Sequence, residues 1–211
     1  MRRLPDVRLM LVTDPALTAR RGLAETVAEA VAGGVTVVQL RDKDAPDATI
    51  VDLGRALMAA LAPHGIPLIV NDRLRVARAL GTAGLHIGQE DGDPAAARAV
   101  IGPEAILGLS VTQAEEAGTV DAAVVDYVGL GPVFTTGSKP DAAPPLGLEG
   151  FAAVGARLPV PYVGIGGIDA GNAAAVMAAG AAGIAVVSAI CAASDPRAAA
   201  ATLRTAVERP R

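Results

Sequence analysis

Residues 23–43, LAETVAEAVAGGVTVVQLRDK, contain the pattern that decides the fold. The first ten positions have apolar side chains at helical spacing, and the pair Gly33-Gly34 is typical of a helix end. A short β-branched run follows, and its apolar residues are continuous rather than alternating. Such a run predicts a strand that is buried on both faces, as the strands of parallel sheets are. The polar residues Gln39 to Lys43 then end the unit.

The same unit recurs along the chain. Helical spacing is found in residues 23–32, 50–61 and 170–179, and Gly65 and Gly180 are typical of helix ends. Eight strands are predicted, at residues 9–12, 35–39, 66–70, 85–87, 105–109, 127–130, 161–165 and 184–187.

Eight strands that alternate with helices allow two architectures, a closed (β/α)8 barrel and an open, doubly wound sheet. The number of units, and the lack of an early glycine-rich dinucleotide-binding turn, favour the barrel. No linker interrupts the pattern, so we predict a single α/β domain, a TIM barrel, over residues 1–211. The longest irregular segment, residues 131–146, follows the sixth strand and is expected on the C-terminal face, where barrels hold their active sites.

Composition argues against several other classes. The net charge of -4, with no cluster of Lys or Arg, argues against a nucleic-acid partner. Cys191 is the only cysteine, which predicts a buried apolar residue and a reducing, cytoplasmic location. The N-terminal residues lack the apolar stretch of a signal peptide. Residues 173–194 carry no charge, but Gly180 divides them into a helix and a strand, so no membrane span is predicted.

Polar and glycine residues gather at the predicted C-terminal ends of the strands, which meet at one face of a barrel. They include Gln39, Arg41, Lys43, Asn71, Asp72, Asp91, Ser110, Thr136, Ser138, Lys139, Gly166, Gly167 and Ser188.

These residue types suit a metal-assisted reaction of phosphorylated molecules. Arg41, Lys43 and Lys139 are natural partners of a multiply charged phosphate, and the two lysines are the only ones in the chain. Asp72 and Asp91 follow adjacent strands, and two carboxylates with phosphate oxygens and water form a common Mg²⁺ shell. The first predicted site therefore binds a diphosphate.

A second phosphate site is predicted at the seventh and eighth strands. Backbone N–H groups near Gly166-Gly167 can approach a ligand closely, and the eighth strand is predicted to run to Ser188. This position suits a monophosphate.

Each group also has a structural interpretation. Residues 39–43 can be a solvated turn, and Asn71-Asp72 can be a helix cap. Asp91 lies close to a helix start at Asp93-Pro94, and Gly166-Gly167 can reflect tight packing. The functional interpretation depends on several groups falling at the same end of consecutive strands.

Six segments, in order from about Arg8 to Ser188, resemble the thiamine phosphate synthase family. They are VQLRDK at 38–43, IVNDR at 69–73, GLHIGQED at 84–91, LGLS at 107–110, GLGPVF at 129–134 with Lys139, and GIGGI at 164–168. No single segment is decisive, but the ordered set is specific and covers most of the chain.

The resemblance implies a TIM-barrel transferase that makes thiamine phosphate and diphosphate from 4-amino-2-methyl-5-(diphosphooxymethyl)pyrimidine and (carboxy)thiazole ethyl phosphate, with Mg²⁺ as cofactor. The residues implied for the pyrimidine diphosphate are Gln39, Arg41, Lys43, Asn71, Ser110 and Lys139. Those implied for the thiazole phosphate are Thr136, Ser138, Gly167, Val187 and Ser188. Asp72 and Asp91 would hold Mg²⁺, and the catalytic residues would be Lys139, Arg41 and Ser110.

The reaction that the resemblance implies is dissociative: diphosphate leaves first, and the thiazole nitrogen attacks the pyrimidine-methyl cation. The electron-rich aminopyrimidine stabilises this cation, so no side-chain nucleophile is needed. This agrees with a sequence that has no obvious nucleophile–base pair. His86 is interpreted as a core histidine with satisfied hydrogen bonds rather than as a base.

The sixth loop departs from the family pattern Phe-Pro-Thr-x-Thr-Lys, because the chain has Phe134-Thr135-Thr136-Gly137-Ser138-Lys139. Ser138 keeps a hydroxyl. Thr135 and Gly137 are expected to loosen the loop and to change affinity more than the reaction itself.

Three alternative functions stay open. A thiazole tautomerase would need only the thiazole phosphate site, a sugar-phosphate epimerase would not need the paired Asp72 and Asp91, and a ligand sensor would show no turnover. The expected partners are small phosphorylated molecules, and the sequence leaves open whether the chain forms a homo-oligomer.

Overall fold

The computed structural model describes residues 4–138 and 143–208. Eight parallel strands close into a barrel in the order of the sequence. The strands are β1 Leu9–Val12, β2 Val37–Leu40, β3 Leu68–Asn71, β4 Gly84–Ile87, β5 Ile106–Val111, β6 Tyr127–Leu130, β7 Tyr162–Ile165 and β8 Gly183–Val186. The helices are α1 Pro15–Thr18, α2 Leu23–Ala32, α3 Asp47–Leu61, α4 Leu74–Leu80, α5 Pro94–Ile101, α6 Ala114–Ala117, α7 Gly147–Gly155, α8 Ala173–Ala178, α9 Ser188–Cys191 and α10 Pro196–Glu208, with a 3-10 helix at Ala62–His64.

The barrel closes because the first and last strands pair. β1 and β8 are parallel neighbours, with Met10 opposite Ala185. This pairing confirms the predicted (β/α)8 barrel and rules out the open sheet. Helix α2 has the predicted bounds, whereas α3 begins three residues earlier than its predicted start, at Asp47.

The predicted end of the eighth strand is wrong. β8 ends at Val186, and Ser188 is the first residue of the short helix α9. Val187 has φ -110° and ψ -81°, which is outside the extended region, and its carbonyl accepts a helical hydrogen bond from Cys191 N–H at 2.9 Å. The apolar run therefore continues past the strand because it also supplies the buried face of the next helix.

Apolar side chains form two layers of core. One layer fills the inside of the barrel and includes Met10, Ile69, Tyr127, Val163 and Ala185. The other packs the outer face of the strands against the helices and includes Cys191, which is buried as predicted. Within residues 4–138 and 143–208, no helix is both long and apolar enough to cross a bilayer. The two layers pack against both faces of the strands, so the barrel fixes where the strand ends lie.

Candidate active site

The C-terminal ends of the strands surround two cavities of about 420 and 400 Å³. We call the larger cavity the charged half; its lining includes Gln39, Arg41, Lys43, Asn71, Asp72, His86 and Asp91. We call the smaller cavity the uncharged half; its lining includes Thr136, Ser138, Gly166, Gly167, Val187 and Ser188. Ser110 lines both cavities, so the two halves are contiguous.

The two carboxylates predicted to hold a metal lie together in the charged half. Asp72 follows β3 and Asp91 lies in the loop after β4, and their carboxyl groups are within hydrogen-bonding reach of each other. The Asp91 carboxylate accepts a hydrogen bond from the Gly88 backbone N–H at 2.6 Å. Lys43 Nζ lies 3.7 Å from Asp72 Oδ2. Three adjacent strand ends therefore bring two acids and a cation to one place.

The electrostatics of this pair favour a cation. Burial, and then the negative charge of Asp91, raise the pKa of Asp72, while the ammonium of Lys43 offsets part of the rise. Two ionised carboxylates at this range repel each other, and a bound cation relieves the repulsion. In the described part of the chain, no group of three or more His, Cys, Asp or Glu side chains is arranged to hold a metal. An ion at Asp72 and Asp91 would need ligand oxygens and water to complete its shell.

The backbone at Asp72 is unusual. Its φ of 60° lies in the left-handed region, and it is the only residue other than glycine with a positive φ in the described ranges. Asp and Asn tolerate this conformation better than most residues because their short polar side chains hydrogen-bond locally. Backbone strain of this kind often occurs where a side chain must point to a ligand.

Two polar residues hold the loop that carries Arg41 and Lys43. Thr13 Oγ1 accepts a hydrogen bond from Arg41 N–H at 2.9 Å and donates one to the Arg41 carbonyl at 3.1 Å. The Arg73 guanidinium donates to the carbonyls of Asp42 and Lys43 at 2.9 and 3.0 Å. The sequence alone assigns a role to neither Thr13 nor Arg73, because these contacts join different βα units. The one feature of the sequence that could have indicated a role for Arg73 is its position as a cation directly after Asp72.

A buried polar chain links the barrel interior to the mouth. His86 Nδ1 lies 2.9 Å from the Tyr127 hydroxyl, and Nε2 lies 3.0 Å from Ser110 Oγ. The buried Gln39 side chain lies beside the Tyr127 hydroxyl, and its Nε2 donates to Met10 Sδ at 3.8 Å. Burial lowers the pKa of His86 to about 4, so its ring is neutral at neutral pH.

The structure corrects one expectation about this histidine. His86 is a core histidine with satisfied hydrogen bonds, as predicted, but it also forms with Ser110 the contact expected of a nucleophile–base pair. The sequence hides this pair because 24 residues separate its members, which meet only through the register of β4 and β5. A histidine with a pKa of about 4, supported by a phenol instead of a carboxylate, is a weak base. The geometry therefore favours a hydrogen-bonding role.

The uncharged half is built around the glycine turn after β7. Gly166 and Gly167 have φ of 96° and 65°, and a Cβ on Gly167 would lie 2.5 Å from the Thr135 carbonyl oxygen. Phe134 N–H donates to the Gly166 carbonyl at 3.0 Å, which holds the start of the sixth loop against the turn. Tight packing is thus confirmed for this pair, and the same packing places its backbone at the cavity wall.

Hydroxyl and backbone groups dominate the rest of the uncharged half. Thr136 and Ser138 line it, and Ser138 N–H donates to Thr136 Oγ1 at 3.3 Å. Asp169 is the only charged side chain among the described residues of this lining. A phosphate here would be bound by neutral donors. The expected loosening of the loop by Thr135 and Gly137 stays a prediction.

The structure describes every predicted site residue except Lys139, and all of these line the mouth. The charged half contains Gln39, Arg41, Lys43, Asn71, Asp72, Asp91 and Ser110. The uncharged half contains Ser110, Thr136, Ser138, Gly167, Val187 and Ser188. Lys139 lies outside the described residues, so its place at the mouth stays a prediction.

The alternative structural interpretations have mixed outcomes. Gln39 is buried in the barrel, whereas the Lys43 side chain is 52% exposed, so only the end of residues 39–43 is solvated. A helix does start at Asp93-Pro94, as predicted, and its cap is Asp93, whose carboxylate accepts from the N–H groups of Ala95 and Ala96. Helix α4 is preceded by Arg73 and has no side-chain cap, so Asn71 and Asp72 do not cap it.

Comparisons with known proteins agree with this geometry. The family described as thiamine monophosphate synthase matches residues 9–190. Thiamine-phosphate synthase from Azorhizobium caulinodans is 57% identical over 206 residues, which cover 98% of this chain and 97% of the relative. The same-named protein from Moorella thermoacetica is 47% identical and covers 99% of each chain. The solved structure of thiamine phosphate pyrophosphorylase from Pyrococcus furiosus superposes with a TM-score of 0.87 at 36% identity, over 96% of each chain. The chain therefore belongs to the thiamine monophosphate synthase family of transferases.

Proposed function

We propose that this chain is a thiamine phosphate synthase, which joins 4-amino-2-methyl-5-(diphosphooxymethyl)pyrimidine to (carboxy)thiazole ethyl phosphate and releases diphosphate, together with CO2 when the thiazole carries the carboxylate. One observation carries the proposal: a charged half with paired carboxylates and cations opens directly into an uncharged half of hydroxyls and backbone groups. Two phosphorylated molecules of different charge can therefore lie side by side. The names of the relatives support the same activity.

The charged half suits a diphosphate together with Mg²⁺. This ion prefers oxygen ligands and usually keeps several waters, with one or two carboxylates and substrate phosphates. Asp72 and Asp91 supply two adjacent carboxylates whose mutual repulsion a cation would relieve, so the residues fit the ion. We assign its binding to these two side chains. When bound, Mg²⁺ would neutralise negative charge that grows on the departing diphosphate.

The remaining groups of the charged half would bind the pyrimidine diphosphate. Arg41 and Lys43 line the cavity as cations, and Lys139 is proposed to join them. Gln39, Asn71 and Ser110 offer neutral donors and acceptors, which suit the amino group and ring nitrogens of the pyrimidine.

The uncharged half would bind the thiazole phosphate. This phosphate keeps its charge through the reaction, so neutral donors suffice to hold it. The proposed residues are Thr136, Ser138, Gly167, Val187 and Ser188.

We propose a dissociative reaction. The bond between the pyrimidine methylene carbon and the diphosphate oxygen breaks first, and diphosphate leaves with both electrons. The aminopyrimidine stabilises the resulting cation. The thiazole nitrogen then donates its lone pair to the methylene carbon and forms the new C–N bond. Arg41 and Lys43 would stabilise the leaving group, and Ser110, where the two halves meet, would contact the pyrimidine diphosphate close to the reacting carbon. No side chain needs to form a covalent bond.

A turnover assay tests this function. The purified protein, mixed with both substrates and Mg²⁺, should give thiamine phosphate and diphosphate in equal amounts, measured by chromatography and by a diphosphate-release assay. Omitting either substrate or chelating the metal should abolish the product, and added Mg²⁺ should restore it. Absence of product from the complete mixture contradicts the proposal. Isomerisation of the thiazole phosphate without the pyrimidine would indicate the tautomerase instead. We place the reaction in the cytoplasm, in line with the single buried cysteine.

A further inference from the structure

The polar chain inside the barrel has a feature that the proposed reaction does not explain. Three side chains from three strands are linked, in the order Tyr127, His86 and Ser110. The first two are buried, whereas Ser110 reaches the junction of the two halves of the mouth. The chain therefore leads from the apolar interior to the place where the two substrates would meet.

Two glycines make room for this chain. A Cβ on Gly108 would lie 2.3 Å from His86 Nδ1 and 2.4 Å from the Tyr127 ring. A Cβ on Gly129 would lie 3.0 Å from His86 Cε1. β5 and β6 thus each lack a side chain where the imidazole passes.

A contribution to stability alone is a poor explanation of this buried polar chain of side chains. The interior layer around it is apolar, with Met10, Ile69, Val163 and Ala185. Replacing both partners of a buried hydrogen bond by apolar groups of similar shape is often nearly neutral. A satisfied polar chain that occupies the centre of an apolar layer is better explained by what it does for Ser110, its most exposed member.

The direction of the hydrogen bonds follows from proton counting. The Tyr127 hydroxyl is fully buried, and the hydrogen bond that it forms is to His86 Nδ1, so its proton would have no acceptor unless it donated to that nitrogen. Tyr127 then donates its single proton to His86 Nδ1, which lies 2.9 Å away. In a neutral imidazole the other nitrogen carries the proton, so His86 Nε2 donates to Ser110 Oγ.

The last link leaves the Ser110 proton directed away from the histidine. With His86 Nε2 as the donor, Ser110 Oγ is an acceptor toward the interior, and its O–H can donate into the mouth. In the other tautomer, Ser110 would donate to His86 and would present only lone pairs to an anionic ligand. The Ser110 carbonyl also accepts from Gln89 Nε2 at 2.7 Å, which fixes the backbone of the serine.

We propose that His86 is a positioning residue that makes Ser110 a hydrogen-bond donor to an oxygen of the pyrimidine diphosphate, and that Tyr127 selects the required tautomer. The inference rests on the proposed function, because it concerns the substrate of the same site. It excludes a nucleophilic Ser110, whose hydroxyl would have to give its proton to His86.

Two substitutions of His86 separate its two hydrogen bonds. The amide nitrogen of glutamine can occupy the place of Nε2, so His86→Gln keeps a donor to Ser110. The amide of asparagine reaches only the place of Nδ1, so His86→Asn keeps a partner for Tyr127 and loses the donor to Ser110. We expect His86→Asn to lower kcat about 10- to 100-fold, the usual effect of one hydrogen bond to a charged group. His86→Gln should recover most of this loss, and KM for the thiazole phosphate should be unchanged in both.

A double-mutant cycle shows whether His86 acts through Ser110. In the Ser110→Ala background, His86→Asn should cause no further loss of kcat. If the two residues acted independently, the fold-losses of the two substitutions would multiply. Tyr127→Phe removes one oxygen and should give a smaller loss of kcat that also disappears in the Ser110→Ala background. This variant keeps the test decisive if the His86 variants fail to fold, which thermal melting would show.

The outcomes separate this inference from the proposed function. If the wild-type protein makes no thiamine phosphate, the function fails first. If the wild type is active and His86→Asn equals His86→Gln in kcat, or if the losses multiply with Ser110→Ala, the positioning role is overturned. A covalent adduct on Ser110, detected by mass spectrometry of protein quenched during turnover, would also overturn it.

Discussion

The charged half of the mouth surrounds its cavity with Arg41, Lys43, Asp72 and Asp91, whereas the uncharged half has Asp169 as the only charged side chain among its described residues. Both halves are built from the same structural unit, a strand end followed by a loop. They differ in whether the loop presents ionised side chains or backbone and hydroxyl groups. On the proposed function, this difference reflects the fate of each phosphate: one leaves with growing charge, and the other stays unchanged.

The largest expected effect tests the carboxylate pair. Asp72→Asn and Asp91→Asn should each lower kcat about 100-fold or more, because charge on the departing diphosphate would lose its compensation. Asparagine tolerates the left-handed backbone at position 72, so the fold should persist. The measurements are steady-state turnover with saturating Mg²⁺ and circular dichroism.

Asp93→Asn is the matched control for this prediction. Asp93 is close in sequence but caps α5, and Asn is an equally good cap, so this variant should behave as wild type. Full activity of both Asp72→Asn and Asp91→Asn would contradict the assignment of Mg²⁺ binding to these two carboxylates.

Lys139 tests whether the sixth loop joins the charged half. If its ammonium stabilises the leaving group, Lys139→Ala should lower kcat about 100-fold, the usual effect of losing one such contact. Lys139→Arg should recover only part, because a planar guanidinium does not replace a compact charge. KM for the thiazole phosphate should change little. An unchanged kcat for Lys139→Ala would show that Lys139 has no catalytic role and that the loop only connects two elements.

Gly167 provides the corresponding test of the uncharged half. Gly167→Ala should raise KM for the thiazole phosphate roughly tenfold, since moving the backbone by a fraction of an ångström misplaces its N–H groups. A Cβ there meets the Thr135 carbonyl at 2.5 Å. Pyrimidine diphosphate binding should stay within about twofold, because its proposed residues lie in the other half.

Gly65→Ala is the control for Gly167→Ala. Gly65 has the same φ of 65°, but a Cβ there meets nothing within 4 Å. It should therefore cost only the left-handed backbone penalty of about 1 kcal/mol and leave both KM values unchanged. Equal kinetic effects of the two variants would show that strain, and not the thiazole phosphate site, explains the result.

The smallest expected effect concerns stability without metal. The pKa of Asp72 is raised in the folded state by burial and by Asp91, so ionised Asp72 destabilises the fold at neutral pH. This cost should decrease as the pH falls through the folded pKa of Asp72 and vanish below the pKa of the unfolded state. In EDTA at neutral pH, Asp72→Asn should raise the free energy of unfolding by up to about 1 kcal/mol, and the gain should disappear in acid. Urea titrations at the two pH values check this. A destabilised Asp72→Asn under the same conditions would mean that the carboxylate pair is not under repulsion.

Sequence pattern predicts the fold well where local and global signals agree. Helix α2, β1 and β6 have their predicted bounds because apolar spacing and flanking glycines or polar residues coincide there. The end of β8 could not be predicted, since Val187 continues an apolar run while its backbone already leaves the strand. Hydrophobicity reports burial, and both a strand and the helix after it are buried here.

The sequence predicts those parts of the site whose residues lie at the ends of adjacent strands. Asp72 and Asp91 were expected to meet because their strands are adjacent, and they do. The contact between His86 and Ser110 depends instead on side-chain direction across two strands, set by the pairing of His86 with Gly108. Contacts of this kind follow from register, which a single sequence does not specify.

The most direct test of the division between the two halves is to titrate each substrate separately by calorimetry into the wild-type protein and Asp72→Asn. The wild type should bind the pyrimidine diphosphate more tightly with Mg²⁺ than without it, and Asp72→Asn should lose this Mg²⁺ dependence. Thiazole phosphate binding should be the same in both proteins. If Asp72→Asn weakens both substrates equally, or if it keeps the Mg²⁺ dependence, the two halves do not have the separate roles proposed for them.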